Sequence, residues 1–379
     1  MNTYQYCFNV ISGPGAIDCV GKKVREIGCS RPLICCDEGI VQFGLLKKLT
    51  TVLDAEEIPY DVYDRVVPNP LESNVVETAS LAKARQSDCL IAIGGGSSMD
   101  TAKAASVLMV NGKLIQEDMT KPPKAGPPVI AIPTTSGTGS DMSIGAMISN
   151  DRTHAKMAVL TPNPTMSICD PELTLSLPKN ATLIGAVDAL MHAIEGYTSV
   201  HATKYSDLIC ENCIAAVRKY LPAAMEKGDD LHAREELMFA SSSCGSVIAT
   251  AYLHAGHAIA HAIGGALNIT HGLAVITTAP ELLNTLAPAC PEKVHRIGEL
   301  LGMAFPEDLT PEVLGATIRG KMIALLRSWG VKSLKDMGIA LDALYACVPT
   351  ILSDLSIYAS PRQLHEEDIR RILEVAYTF

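Results

Sequence analysis

The sequence predicts two domains: an α/β N-terminal domain with a parallel sheet over residues 1–180, followed by an all-α C-terminal domain over residues 181–379. The first half alternates short apolar runs with helical patterns, which is typical of a parallel sheet covered by helices. From about Asn180 onward, long stretches carry helical periodicity and few β-branched runs. The boundary is expected where the pattern changes, near 177–180.

The apolar runs predict where the strands and helices lie. In the first half, strands are expected at Pro32–Asp37, Tyr60–Tyr63, Cys89–Ile93 and Val129–Ile132, with a helix from Leu45 to Leu53. Ligands of such sheets bind beyond the carboxyl ends of the strands. In the second half, helical patterns cover Leu183–Tyr197, Ser206–Met225, Ala233–Ala262, Pro311–Trp329 and Glu366–Tyr377.

Composition favours a well-buried globular enzyme, because 48% of the residues are hydrophobic and 19% are charged. The mean hydropathy of +0.21 indicates apolar surface covered between subunits, so a homo-oligomer is expected. A net charge of −10 argues against a nucleic-acid partner. No apolar run approaches the roughly 18 residues that a membrane helix needs. Residues Met1–Tyr6 show no signal-peptide pattern, so a cytoplasmic protein without a membrane partner is expected.

The twelve cysteines are scattered, which favours buried thiols in a reducing compartment over a disulfide framework. Cys210 and Cys213 have the Cys-x-x-Cys spacing. They lie in an expected helix without a second pair to complete a zinc site. Core-facing thiols are therefore the favoured interpretation.

Two loops rich in small residues follow expected strands. Gly94-Gly95-Gly96-Ser97 opens a helix, where glycines and free amides suit a phosphate, although a tight structural turn explains the run equally well. Pro133–Ser140 offers hydroxyls and amides for a pyrophosphate or ribose, with a capped turn as the alternative. Because the loops end neighbouring strands, one dinucleotide could span both.

Two charged residues could contact the same ligand. Asp37 ends a strand, where a carboxylate can bind both hydroxyls of an adenosine ribose and repel a 2′-phosphate. A simple helix N-cap is the alternative for Asp37. Lys156 could meet a phosphate, although a lone lysine is usually only solvated.

Four histidines lie close together in the second half: His254, His257, His261 and His271. Upstream, Asp188 and His192 are four residues apart, which places both on one face of a helix. A carboxylate and several imidazoles from two helices and a loop can enclose a divalent metal. The alternative is a set of structural histidines in a helical core.

These segments together resemble the iron-containing (group III) alcohol dehydrogenases, over essentially the whole chain. That family pairs a Rossmann-like dinucleotide-binding domain with a helical metal-binding domain, a two-domain plan similar to that of dehydroquinate synthase. The resemblance rests on the order and spacing of Val67–Pro70, Gly94–Ser97 with Asp100 and Lys103, Pro133–Ser140, Asp170-Pro171, Asp188–Glu195 and His257-x3-His261-x9-His271-Gly272.

The resemblance implies a metal held by Asp188, His192, His257 and His271. Fe²⁺ is the implied ion and Zn²⁺ the alternative, since three imidazoles and one carboxylate do not select one metal. His261 matches the family's unligated histidine near the nicotinamide and is the expected catalytic residue. The expected NAD(H) site comprises Asp37, Asn69, Gly95, Gly96, Ser97, Thr134, Thr135, Thr138, Ser143, Lys156 and Leu175.

His254 stands where small residues are more common in the family. It would share one helical stripe with His257 and His261, so it could face the pocket, although a hydrogen-bonded wall residue is the commoner role. Spacing alone would also allow these three as metal ligands. A row along one helix cannot wrap an ion, however, so the set that includes Asp188 and His192 is favoured.

The function expected from these residues is a metal-dependent, NAD(H)-linked alcohol dehydrogenase or aldehyde reductase for a small primary alcohol, a diol or a short functionalised aldehyde. The metal would act as a Lewis acid, the nicotinamide would exchange a hydride, and His261 would relay the proton. The alternatives are a glycerol dehydrogenase-like or dehydroquinate synthase-like metal enzyme, or a non-catalytic nucleotide- or metal-binding protein. Synthase chemistry should require clustered Lys and Arg, which the histidine motifs lack.

Overall fold

A computed structural model describes residues 8–114, 123–152 and 156–379 of the chain. The segment Met1–Tyr6, considered above for a signal peptide, lies outside the described residues. The chain divides into two compact units. The first comprises Met1–Leu177 and Asp229–Gly245, and the second comprises Pro178–Gly228 and Ser246–Phe379.

The first unit is built on a six-stranded sheet in the order β1-β8-β5-β4-β2-β3, and every strand pair in it is parallel. A separate antiparallel hairpin consists of β6 and β7. The strands are β1 (Val10–Ser12), β2 (Pro32–Asp37), β3 (Asp61–Val66), β4 (Cys89–Gly94), β5 (Val129–Pro133), β6 (Ala146–Ser149), β7 (Lys156–Val159) and β8 (Met166–Cys169).

Helices cover both faces of this sheet, and the alternation of side chains along β2 shows how. Ile34 and Cys36 belong to one buried apolar cluster, and Leu33 and Cys35 belong to another. A strand buried on both faces is therefore apolar throughout, as parallel sheets require. The helices are α1 (Val20–Glu26), α2 (Glu38–Gln42), α3 (Leu45–Ala55), α4 (Glu72–Ala84) and α5 (Gly96–Asn111), with 3-10 helices at Ala16–Cys19, Ser140–Met142 and Pro171–Thr174.

The second unit is helical in its described residues. Its central helix, α6 (Lys179–Thr198), is buried on nearly all sides from Thr182 onward, because α7, α9, α10 and α12 pack around it. With the parallel sheet of the first unit, this confirms the predicted fold class. The other helices of this unit are α7 (Lys204–Glu226), α9 (Ala255–Leu267), α10 (His271–Ile276), α11 (Ala279–Leu286), α12 (Pro291–Leu300), α13 (Pro311–Ser328), α14 (Leu341–Ala346), α15 (Val348–Ser353) and α16 (Glu366–Thr378), with a 3-10 helix at Leu355–Ala359. Helix α8 (Leu231–Ile248) belongs to the first unit up to Gly245.

The single helical stretch expected over Ala233–Ala262 is wrong, because the chain breaks between α8 and α9. Tyr252 adopts a left-handed conformation with φ 60°, which is rare for a bulky residue, and His254 is the N-cap of α9 rather than part of it. His254 therefore does not share a helical stripe with His257 and His261. The helical pattern of apolar residues continues through the break, because the linking residues 249–253 are mostly apolar as well.

The structure also bears on the Cys-x-x-Cys pair and on the possibility of a membrane-spanning helix. Cys210 and Cys213 are fully buried free thiols on α7, as the core interpretation predicts. Among the helices that the structure describes, none combines the length and apolarity needed to cross a bilayer.

Candidate metal centre and cofactor loops

Donor atoms from three helices of the second unit converge on one buried point. Asp188 and His192 lie one turn apart on α6, and His257 lies on the first turn of α9. One ligand atom of each lies within 4.8 Å of the others. His271, the first residue of α10, brings its Nε2 atom to 3.6 Å from Asp188 Oδ1. The structure thus brings together all four residues expected to hold a metal.

The chemistry of this donor set fits a divalent cation. The ring centroids of His192 and His257 are 4.8 Å apart, and those of His257 and His271 are 5.5 Å apart. Nδ1 of His192 is buried and has no hydrogen-bond partner among the described residues. Burying a polar atom without a partner is costly, and imidazoles clustered around a carboxylate are typical ligands of Fe²⁺ and Zn²⁺.

A buried glutamate fixes the orientation of His257. Nδ1–H of His257 donates to Glu195 Oε1 at 2.9 Å, which leaves the lone pair on Nε2. Glu195 is fully buried, and burial raises the pKa of its carboxyl although His254 and His257 oppose this shift. In metal sites, a carboxylate of this kind usually fixes the tautomer and the ring orientation of a histidine ligand.

The same glutamate supplies the missing cap of α9. The side chain of the N-cap residue, His254, makes no capping bond, but Glu195 Oε2 accepts from the backbone N–H groups of His254 at 2.5 Å and of His257 at 3.4 Å. A carboxylate at a helix N-terminus satisfies free amides and interacts favourably with the helix dipole. Glu195 therefore links the end of α6 to the start of α9.

His254 is a buried wall residue and does not contribute a ligand. Its Nε2 atom lies 2.8 Å from Oγ1 of Thr198, whose hydroxyl donates to the Ile194 carbonyl at 2.8 Å. The threonine oxygen therefore accepts from Nε2–H of His254. Burial lowers the pKa of His254, although Glu195 opposes the shift, so the ring is neutral near neutral pH.

The expected catalytic residue, His261, faces an acid. Nδ1 of His261 lies 3.0 Å from Asp354 Oδ2, and both side chains are 25% exposed. Burial alone would raise the pKa of Asp354, but hydrogen bonds from His261 and Ser356 hold it well below its usual range. The His261 ring also stacks on His271 with centroids 5.7 Å apart, so His261 lies beside the candidate metal site.

A second cluster of possible metal ligands lies in the first unit and fits a cation poorly. Cys29, Asp88 and Cys89 have ligand atoms within 4.8 Å of one another. The carboxylate of Asp88 already accepts from Ser30 N at 2.7 Å and from Arg31 N at 2.9 Å. Burial raises the pKa of both thiols, which opposes the thiolate form that binds metals.

The two loops of small residues lie side by side at the ends of β4 and β5. The Thr134 amide donates to the Gly94 carbonyl at 2.9 Å. A Cβ atom on Gly96 would lie 2.8 Å from Cγ2 of Thr138, and one on Gly95 would lie 3.5 Å from Oγ1 of Thr135. Only glycine at position 96 allows this close approach, and the amides of Gly96 and Ser97 open the 16-residue helix α5.

A buried lysine holds the segment that follows the second loop. Nζ of Lys103 donates to the carbonyls of Ser140 at 3.0 Å and Ser143 at 3.3 Å. Asp100 accepts from the Ser140 hydroxyl at 2.5 Å and from the Met147 amide at 2.8 Å. Burial lowers the pKa of Lys103, although Asp100 opposes the shift. Lys103 and Asp100 therefore fix the segment 140–147 at the end of the second loop.

Asp37 is the N-cap of α2, which is the alternative to ribose binding given above. Oδ1 of Asp37 accepts from the Ile40 amide at 3.2 Å and caps α2. Its Oδ2 atom lies 3.5 Å from where a Cβ atom on Gly94 would be, so the acid lies beside the glycine loop. One oxygen caps the helix while the other faces the loop, so capping is compatible with ribose binding.

The remaining expected cofactor residues lie in two other places within the first unit. Asn69 is exposed, with φ 54°, in the loop after β3. The next residue, Pro70, accepts from the Ser149 amide at 2.7 Å, and Ser149 pairs with Lys156 in the β6–β7 hairpin. Leu175 ends the 3-10 helix that the buried Asp170 caps.

Comparison with known proteins decides the family. A profile described as "Iron-containing alcohol dehydrogenase" matches residues 8–171. A second, "Fe-containing alcohol dehydrogenase family, C-terminal", matches residues 182–377. The chain belongs to the iron-containing alcohol dehydrogenase family. It is therefore an oxidoreductase of the alcohol dehydrogenase type.

Individual relatives support this assignment along the whole chain. Alcohol dehydrogenase 4 of Schizosaccharomyces pombe is 34% identical over 88% of this chain and 81% of its own length. The NAD-dependent methanol dehydrogenase of Bacillus methanolicus is 30% identical over 97% of both chains. The solved structure of an alcohol dehydrogenase from Oenococcus oeni is 30% identical, with a TM-score of 0.91 over 98% of this chain and 100% of that one.

Sequence reasoning gave no role to two residues that contact the candidate site. Glu195 stands in the Asp188–Glu195 motif, and its spacing places it two turns from Asp188 on α6, yet no role was derived for it. Asp354 follows α15 and is distant in sequence from His261, so no local pattern could have paired the two. A search for acids able to satisfy the second nitrogen of each histidine could have indicated both.

Proposed function

We propose that this dehydrogenase exchanges a hydride between NAD(H) and a small primary alcohol, a diol or a short functionalised aldehyde, with a divalent metal at Asp188, His192, His257 and His271. The observation that carries the proposal is the convergence of ligand atoms of Asp188, His192 and His257 within 4.8 Å of one another in a buried site. His271 joins them with Nε2 3.6 Å from Asp188 Oδ1. Mere structural histidines would not need to bring these atoms together around a carboxylate.

Fe²⁺ or Zn²⁺ would be held by the four side chains named above, since both ions accept imidazole and carboxylate ligands. When bound, the ion supplies a Lewis acid that lowers the pKa of a substrate hydroxyl or polarises a carbonyl. Glu195 holds the His257 ring with its Nε2 lone pair available, which prepares this ligand before the ion binds.

His261 is proposed to move the proton of the reaction. With Nδ1–H donated to Asp354, Nε2 carries the lone pair and can accept the proton of the alcohol. In the reverse direction the protonated ring returns it. Asp354 stabilises the positive ring and keeps its tautomer fixed, and the partial exposure of His261 lets the proton pass on to water.

NAD(H) is proposed to bind at the carboxyl ends of β2, β4 and β5. The amides that open α5 suit the pyrophosphate, because a helix N-terminus attracts anions. Gly96, which has no side chain, lets Thr138 of the second loop pack against the start of α5, and Asp37 would accept hydrogen bonds from the ribose hydroxyls. Asn69, Ser143, Lys156 and Leu175 complete the proposed contacts.

The decisive experiment is a panel of short aldehydes and alcohols with NADH or NAD⁺, added Fe²⁺ or Zn²⁺, and absorbance of NADH as the readout. We expect oxidation of NADH with at least one short aldehyde, and loss of that activity after metal removal by a chelator. Metal-independent turnover would contradict the proposed site. Binding of NADH and metal without turnover of any substrate would instead indicate a non-catalytic binding protein.

A further inference from the structure

The end of α6 and the start of α9 are joined by buried polar contacts that the reaction itself does not use. We propose that Glu195, held in place by His254 and Thr198, is the positioning residue that sets the orientation of His257 and so determines how tightly the metal is retained. This inference depends on the metal site of the proposed function. It assigns His254 a role in the support of a ligand instead of a role as a ligand.

Glu195 reaches the first turn of α9 through both carboxylate oxygens. Oε1 accepts from the His257 ring at 2.9 Å, and Oε2 accepts from the backbone amides of His254 and His257. The ring and the backbone of one ligand are therefore fixed by a single side chain. Because Asp188 and His192 lie on the same helix as Glu195, this contact also sets the spacing between the ligands of α6 and that of α9.

Gly256 makes this approach possible. A Cβ atom at position 256 would overlap Oε1 of Glu195 and lie 2.9 Å from Cε of Met191. The helix position is otherwise ordinary, so the absence of a side chain serves the close approach and not an unusual backbone conformation. Any side chain at position 256 would push the carboxylate away from His257.

His254 and Thr198 close the contact from the other side. Nε2–H of His254 donates to Thr198, which is one turn beyond Glu195 on α6. This bond fixes His254 at the N-cap of α9, and in that position the His254 amide donates to Glu195 Oε2. The His254 side chain is fully buried, with 0% of its surface exposed, so packing and the hydrogen bond to Thr198 together hold it in place.

The test measures metal retention by the full chain, with Zn²⁺ release to a chromophoric chelator and the visible absorption of the Co²⁺-loaded protein as readouts. Supporting partners of metal ligands typically contribute about 10- to 100-fold to metal affinity. We therefore expect Glu195→Gln and Gly256→Ala to weaken Zn²⁺ binding by about that factor and to shift the Co²⁺ band. Thr198→Val, which removes only a hydroxyl, should weaken binding by a smaller factor.

Matched controls separate positioning from general stability. Gly320→Ala makes the same change in α13 where a Cβ atom meets nothing within 4 Å. Thr277→Val removes a buried hydroxyl that bonds the Ala274 carbonyl at the end of α10. Both should keep wild-type metal retention and the wild-type Co²⁺ band, whatever they do to the unfolding temperature of the metal-free chain.

Wild-type retention in both Glu195→Gln and Thr198→Val would overturn the positioning role. If the wild-type chain itself retained neither Zn²⁺ nor Co²⁺, the metal site of the proposed function would fail and this inference with it. The readouts do not require turnover, so failure to find a substrate leaves the outcome interpretable. Weakened retention confined to the three variants supports the proposal.

Discussion

Nδ1 of His261 lies 3.0 Å from Oδ2 of Asp354, so a carboxylate fixes the tautomer of the histidine that is proposed to carry the proton. Asp354 is held in turn by Ser356, whose amide donates to Oδ1 at 2.9 Å and whose hydroxyl donates at 2.7 Å. The acid is therefore pre-oriented before substrate binds. This pair gives two predictions that concern different properties of the protein.

The first concerns catalysis. His261→Ala should lower kcat by about 100-fold or more, since general acid–base groups contribute about 10²–10⁴-fold, while the metal content stays at the wild-type level. Asp354→Asn should lower kcat by a smaller factor, because the ring remains but its tautomer is no longer fixed. Steady-state kinetics and elemental analysis measure both properties. Asp342→Asn, in the first turn of α14, is the control, and unchanged turnover in His261→Ala would remove this residue from the mechanism.

The second concerns stability against acid. The pKa of Asp354 is lower in the folded chain than in the unfolded chain, where it should be about 3.9. The ionised carboxylate therefore stabilises the fold above roughly pH 4, and this contribution disappears as the pH falls through the folded-state pKa. The unfolding temperature of Asp354→Ala should lie below that of wild type at neutral pH, with the gap closing in acid. A gap independent of pH would contradict the linkage.

The third prediction tests the ligand set. Asp188→Ala and His271→Ala should lose both bound metal and activity, because each removes one of the converging donors. His295→Ala provides a matched histidine control, since His295 lies on α12 and pairs only with Glu299 at 3.6 Å among its acidic neighbours in the structure. Elemental analysis and NADH absorbance measure the outcome. A metal-free Asp188→Ala variant with full activity is the result that would refute the assignment.

The sequence was sufficient to place the strands that end in the two loops of small residues. Pro32–Asp37 has the predicted bounds, and Cys89 begins β4 as expected, because strands buried on both faces are continuous apolar runs. The cluster of Asp188, His192, His257 and His271 followed from a resemblance whose spacing spans the whole chain. In each case the information lies in local pattern or in motif order.

Contacts between distant segments could not be derived in this way. The pairing of His261 with Asp354 and of Glu195 with the N-terminus of α9 depends on how helices pack, and no periodicity encodes it. The break before α9 is not visible in the sequence, because residues 249–253 are mostly apolar and lack proline and glycine. The prediction that His254 lies on one helical face with His257 and His261 is therefore wrong.

The fourth prediction concerns cofactor preference. Asp37→Ser keeps an N-cap acceptor for α2 but removes the charge beside the glycine loop. The ratio of kcat/KM for NADP⁺ to that for NAD⁺ should rise by about tenfold, which corresponds to roughly 1.4 kcal/mol. Glu38→Ser removes the neighbouring exposed charge and should leave the ratio unchanged. A wild-type enzyme that uses both cofactors equally would count against the role of Asp37.

The fifth prediction tests the contact between the two loops of small residues. Gly96→Ala would place a methyl group 2.8 Å from Cγ2 and 2.9 Å from Oγ1 of Thr138. Either Thr138 or the first turn of α5 must then move, and overpacking of this kind costs about 1–3 kcal/mol. Part of that cost should fall on the bound state, so the Kd for NADH, measured by fluorescence titration, should rise by about tenfold. Gly96→Ala combined with Thr138→Ser, which removes Cγ2 and leaves a hydroxyl that can rotate away, should recover part of the lost affinity. A Kd for NADH that is unchanged in Gly96→Ala would place the cofactor away from this loop.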